Sequence, residues 1–141
     1  MLGFTFYSLY KHNKVEKKAN TLDIETSYLF VYRENIDKLI ELNFDLDNNL
    51  KKLIFYLKND KIDFIFVFYD EKTVIHSSGV SIRKNSPDKF FFEFQNNRYG
   101  VIGPTFTNPL YRGKQFYKYA IEMQINNLIN KHNINEIFIS T

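Results

Sequence analysis

The stretch Gly103-Pro-Thr-Phe-Thr107-Asn-Pro109-Leu-Tyr111-Arg112-Gly113-Lys114-Gln115-Phe116-Tyr117 carries two of the chain's 3 prolines and two of its 5 glycines. Turn-forming residues so concentrated mark a change of direction. Before them, Arg98 to Thr107 reads as a strand interrupted by Gly103-Pro104. Proline removes a ladder donor, so a Gly-Pro pair inside a strand predicts a bulge or splay, with backbone groups left for another partner. After them, Tyr111 to His132 predicts the strongest helix. Phe116, Ala120 and Met123 form one stripe, which Tyr117, Ile121, Ile125, Leu128 and Ile129 widen. Arg112 and Lys114 then stand at the start of a helix, where free N–H groups and the helix dipole favour an anion.

Working outward, Asn135 to Ser140 predicts a last strand. The strand–helix–strand unit it completes is a parallel crossover, expected to be right-handed. Toward the N-terminus, Ser86 to Lys89 reads as a loop, and Phe90 to Phe94 takes no assignment. Thr73 to Arg83 alternates, with Val74, His76, Ser78, Val80 and Ile82 on one face. Ile62 to Tyr69 is a nearly unbroken apolar run, as expected of a strand covered on both faces. Leu46, Leu50, Leu53, Ile54 and Leu57 repeat at helical spacing with Asp45 available as N-cap, and Ile36, Leu39 and Ile40 form a shorter helix. Tyr28 to Arg33 predicts the first strand. The aromatic Phe4 to Tyr10 and the basic Lys11 to Lys18 are read as part of an N-terminal arm, residues 1–26, packed on a single domain spanning 1–141. The expected class is α+β, a mostly antiparallel mixed sheet flanked by helices in the order β-α-α-β-β-β-α-β.

Composition narrows the function. A chain of 141 residues builds one core. A net charge of +3 spread along the sequence argues against a nucleic-acid protein, which carries a clustered basic face. With no cysteine there is no disulfide framework, thiolate zinc site or thiol nucleophile. The 3 histidines lack metal-ligand spacing, so no metal is expected. His12 and His132 lie in polar runs and are expected to face solvent. No apolar run reaches transmembrane length and no secretory leader is evident, so a cytoplasmic protein is expected. The 15 Phe and 10 Tyr accompany abundant Asn, Lys and Ile, the signature of AT-rich codons, and are not read as a base-stacking platform.

Pro109, Tyr111, Arg112, Gly113 and Lys114 match, in order and spacing, motif A of the GNAT-type N-acetyltransferases, which runs roughly V-x-P-x-Y-R-G-K-G-[IL]-[GA]. The chain resembles that family in its order of elements from Tyr28 onward as well. The longer stretch from Gly103 to Gly113 resembles GNAT-like proteins of bacterial surface-polysaccharide synthesis. The resemblance implies acetyl-CoA as co-substrate. Phe106 and Thr107 would pair with the pantetheine amides, and the backbone from Arg112 through Gly113, Lys114, Gln115 and Phe116 to Tyr117 would cradle the pyrophosphate. It implies direct attack by a small-molecule amine acceptor, an amino sugar among the candidates, with no protein nucleophile.

The chain departs from the family pattern in three places. Gln115 stands where relatives carry Gly, and a positive φ there would cost about 1 kcal/mol. Tyr117 stands where Gly or Ala is usual. No carboxylate lies between Asn97 and Asn108, so His76, Glu93 or a water is left to act as base. The family continues beyond this point with a helix and two strands. A truncated chain would leave Ile137, Phe138 and Ile139 partly uncovered, which suggests a homodimer or strand exchange. The alternative readings are a degenerate CoA-binding or non-catalytic interaction protein, or an inactive truncated remnant.

Overall fold

The computed structural model describes residues 4–8 (backbone path), 27–41, 47–84 and 98–140. The Asp45 cap, Leu46, the loop at 86–89, the run 90–94 with Glu93, the basic run 11–18 and His12 lie outside the described residues.

Six strands form one sheet: β1 (Phe4–Ser8), β2 (Ser27–Tyr32), β3 (Phe64–Asp70), β4 (Thr73–Lys84), β5 (Arg98–Thr107) and β6 (Glu136–Ser140). Their order across the sheet is β1-β6-β5-β4-β3-β2. Only the β5–β6 pair is parallel, because a helix connects those two strands; every other pair is antiparallel. The helices are α1 (Asp37–Glu41), α2 (Asn48–Lys58) and α3 (Phe116–Asn130). The architecture is therefore the expected mixed α+β one, with one strand more at its N-terminus. Among the described residues no helix is long and apolar enough to cross a membrane.

Strand β3 is the keel. Its run Phe64-Ile-Phe-Val-Phe68 is wholly excluded from solvent. Burying each such side chain contributes about 1.5–3 kcal/mol, which explains why this segment is apolar on both faces. Ile65 and Val67 pack with Leu50, Leu53 and Leu57 of α2. Phe66 and Phe68 meet Phe116 and Ala120 of α3, and Phe64 meets Ile121, Ile125 and Leu128. The sheet thus separates an α2 layer from an α3 layer. Helix α2 is capped by Asp47, whose Oδ1 accepts from the Leu50 N–H at 2.7 Å. The helix therefore begins two residues later than an Asp45 cap would set it.

Two other expectations need correction. Val74 does not share a face with His76. The β3–β4 register shifts between Phe68 and Tyr69, so Val74 opposes Tyr69 and His76 opposes Phe68. Val74 accordingly packs in the α2 layer, while Ile75 packs in the α3 layer. Ile137, Phe138 and Ile139 are buried, at 1%, 6% and 3% exposure. Residues 4–8, read from the sequence as part of an N-terminal arm packed on the domain, form β1 and pair along β6 from Phe4 opposite Ser140 to Ser8 opposite Glu136. The edge that suggested self-association is occupied from within the chain.

Candidate functional site

The irregularity predicted at Gly103-Pro104 divides β5 in two. Opposite it on β4, the register passes from Ser78 paired with Thr105 to Val80 paired with Ile102. Gly79 therefore faces both Gly103 and Pro104, a bulge. On its other side, β5 pairs with β6 only through Gly100, Val101 and Ile102. Residues 103–107 leave β6 and keep only β4, so one backbone edge opens into the splay. Gly103 sits at the branch with φ 149°, and a Cβ there would lie 2.6 Å from Ser140 Cβ. No other residue fits so close to the neighbouring chain.

Beyond the splay, Asn108 anchors the turn. Its N–H donates to the Ile75 carbonyl at 2.8 Å, and its Oδ1 accepts from the Leu110 N–H at 3.0 Å. A single turn of 3-10 helix spans Pro109–Tyr111. Helix α3 then begins at Phe116 rather than Tyr111, because Gly113 (φ 80°) and Gln115 (φ 67°) both adopt left-handed backbone. The positive φ considered at position 115 is present and is carried by a glutamine. Tyr119 Oη donates to Gln115 Oε1 at 3.3 Å, which ties that side chain back along the helix. No side chain caps α3. The N–H groups of Gly113, Lys114, Gln115 and Phe116 have no hydrogen-bond partner among the described residues.

Two clefts flank the splayed half of β5. On the α3 side, a cleft of about 590 Å³ is lined by Thr105, Thr107 and the loop residues Tyr111, Arg112, Gly113 and Gln115, then Phe116 to Lys118. On the α2 side, one of about 330 Å³ is lined by Phe106, Ser77, Asn108 and, across from them, Asp47 and Asn49 at the start of α2. Thr105, Thr107 and Arg112 border both. The residues 106, 107 and 112–117 singled out in the sequence are thus drawn round one strand end, with Lys114 Nζ 5.7 Å from the centre of the Tyr111 ring. Arg112 Nε donates to the Thr107 carbonyl at 3.3 Å and pins that end. Tyr117 lines the α3-side cleft, 45% exposed, instead of being buried in the core as its place in the helical stripe suggested.

His76 is fully buried beneath this region. Its Nδ1 lies 2.8 Å from Thr107 Oγ1 and its Nε2 2.7 Å from Ser78 Oγ, while Tyr117 meets its ring edge-on. Burial lowers its pKa to about 4. Both ring nitrogens are engaged and neither faces a cleft, so His76 is not placed to take a proton from a substrate. His132, expected in solvent, is half-buried, stacked on Phe64 and 2.9 Å from Tyr32 Oη through Nε2. Asp47 is the residue the sequence reading missed. The sequence pattern offers Asp45 as the cap, and nothing local indicates that α2 points its N-terminus at β5.

The splayed strand, the turn and the following helix within this sheet define the fold of GNAT acetyltransferases. Similar solved structures include a predicted acetyltransferase with acetyl-CoA from Clostridium acetobutylicum (TM-score 0.55, 17% identity, covering 83% of this chain and 81% of that one). A GNAT family acetyltransferase of Staphylococcus aureus gives 0.54 at 17% identity, covering 84% and 87%. An aminoglycoside antibiotic 6′-N-acetyltransferase of Acinetobacter haemolyticus gives 0.51 at 13%, covering 79% and 76%. No protein-family model matches the sequence, and no curated protein matches it.

Proposed function

We propose that the chain is an acyl-CoA-dependent N-acyltransferase that moves an acetyl group from acetyl-CoA to an amine of the amino-sugar class. The observation that carries this reading is the splay of β5 after Ile102, which opens a backbone edge beside an uncapped helix start. The cofactor fits the residues present. Phe106 and Thr107 would offer backbone groups to the pantetheine arm. The free N–H groups of Gly113 to Phe116 would take the pyrophosphate, with Lys114 and Arg112 supplying positive charge. Gly113 leaves open space, since a Cβ there would meet nothing within 4 Å.

When bound, acetyl-CoA supplies a thioester that an amine can attack directly. The chain's own contribution is then positioning and hydrogen bonding, which account for a large share of rate acceleration in such reactions. The α2-side cleft suits the acceptor. Its Asp47 carboxylate complements a cationic amine, and its polar wall of Asn49, Ser77 and Asn108 suits a hydroxylated substrate.

Thermal unfolding with and without acetyl-CoA tests this directly. Ligand at 100 times its Kd stabilises by about 2.7 kcal/mol, which raises Tm by several degrees for a chain of this size. A clear rise, followed by thiol release when amino sugars are added, supports the reading. An unchanged Tm in a cooperatively unfolding chain overturns it.

A further inference from the structure

Four polar side chains run in single file from the wall between the two clefts into the α3 layer. Thr107 Oγ1 is 2.8 Å from His76 Nδ1, and His76 Nε2 is 2.7 Å from Ser78 Oγ. Gln124 Nε2 is 3.2 Å from Ser78 Oγ and 2.9 Å from the Ala120 carbonyl. His76, Ser78 and Gln124 are fully buried; only Thr107 borders the clefts.

Counting hydrogens gives the file a direction. A carbonyl only accepts, so the Ala120 bond fixes Gln124 Nε2 as a donor and fixes which way the amide faces. Its second hydrogen then goes to Ser78 Oγ. The Ser78 hydrogen has one acceptor among the described residues, His76 Nε2. That nitrogen must therefore be bare, and the imidazole proton sits on Nδ1 and is given to Thr107 Oγ1. The Thr107 hydroxyl, already accepting, keeps its own hydrogen for the cleft. Gln124 Oε1 already lacks a partner among the described residues, and the opposite sense would add a second unsatisfied group, placing two donors on Ser78 and leaving its hydroxyl hydrogen buried without an acceptor.

We infer that the Thr107 hydroxyl is a fixed hydrogen-bond donor to the carbonyl oxygen of the bound acyl group, and that His76 is the positioning residue that sets its sense. The inference rests on the acyl-CoA reading above. Acyl transfer brings the carbonyl to the place where both substrates meet, and Thr107 borders both clefts. A donor already oriented toward that oxygen needs no reorganisation during reaction. The imidazole stays neutral near pH 7, consistent with burial holding its pKa at about 4. It therefore acts by direction of hydrogen bonding, not by lending a proton.

Two measurements decide the matter. Long-range 1H–15N correlation on the 15N-labelled chain, without ligand, reads the His76 tautomer. The Nδ1–H form is expected, and the Nε2–H form overturns the relay. Isotope-edited infrared spectroscopy of carbonyl-13C acetyl-CoA, with binding checked by calorimetry, reads the donor. The thioester band is expected at lower frequency in the wild type and in Thr107→Ser than in Thr107→Val. Equal bands in Thr107→Val and wild type, with ligand bound to both, overturn the role of Thr107. If acetyl-CoA does not bind the wild type, the functional reading fails and the carbonyl assignment with it, while the tautomer still decides the relay.

Discussion

The two halves of β5 differ as sharply as two regions of one strand can. Residues 100–102 lie between β4 and β6, and Val101 and Ile102 are buried, the latter with no exposure at all. Residues 103–107 keep one neighbour and carry Thr105 and Thr107, and beyond the buried Gly103 they are half-buried. The first half stabilises the sheet; the second leaves hydrogen-bonding capacity and a polar wall unspent. A strand can serve both purposes because pairing is settled residue by residue, and a glycine at the branch lets the chain pass close to β6 before it parts from it.

The largest effect should come from the paired half. Ile102→Ala empties a fully buried site and should cost about 2–5 kcal/mol, read by denaturant titration, with acetyl-CoA affinity of the folded fraction unchanged. Equal loss of affinity would mean that the halves are not separable. Acid should act next, through the group beneath the splayed half. His76 titrates at about 4 in the folded chain against about 6.5 unfolded, so between those values the unfolded chain binds more protons. Its contribution is complete above about pH 6.5 and lost as pH falls toward 4, amounting to about 3 kcal/mol. The lowered pKa of His132, caused mainly by burial and then by Lys131 and Arg98, adds in the same direction. Unfolding free energies of the wild type and His76→Gln across this range should differ in slope; parallel curves would show that His76 is not the group responsible.

Gly103→Ala attacks the branch itself. The new methyl would meet Ser140 at 2.6 Å and should cost about 1–3 kcal/mol, with the β5 and β6 amides showing faster hydrogen exchange. Undisturbed exchange would deny that the close approach holds the two strands together. Gln115→Gly removes a side chain from left-handed backbone and should raise stability by about 1 kcal/mol, with tighter acetyl-CoA binding by calorimetry. The smallest effect on stability, within about 0.5 kcal/mol, is expected for Thr105→Val in the open half. A change as large as that of Ile102→Ala would erase the contrast between the two halves.

Much of this was legible in the sequence because it is local. The β3 run is apolar on both faces because both faces are covered, and its composition says so. The ends of β5 and β6 and the bulge at Gly103-Pro104 follow from β propensity and a missing donor. The α3 stripe announces its buried face, although the helix start was read five residues early: apolar periodicity continues through a turn that the backbone breaks at Gly113 and Gln115. The candidate site was half legible for the same reason. Its loop is one contiguous stretch, whereas Asp47, Asn49 and Ser77 come to the clefts from other elements.

The sequence by itself determined the elements from Tyr28 onward, their order and the turn at which chemistry would be sought, since propensity, periodicity and the residues of a tight turn act over a few neighbours. Tertiary structure alone decided that Phe4 to Ser8 would pair with Glu136 to Ser140. It also decided that Val74 and His76 would part to opposite faces, and that His76 would be buried with both nitrogens held. Each of these depends on which distant backbone lies alongside, and strand register, desolvation and hydrogen-bond direction are properties of that pairing rather than of any residue in it.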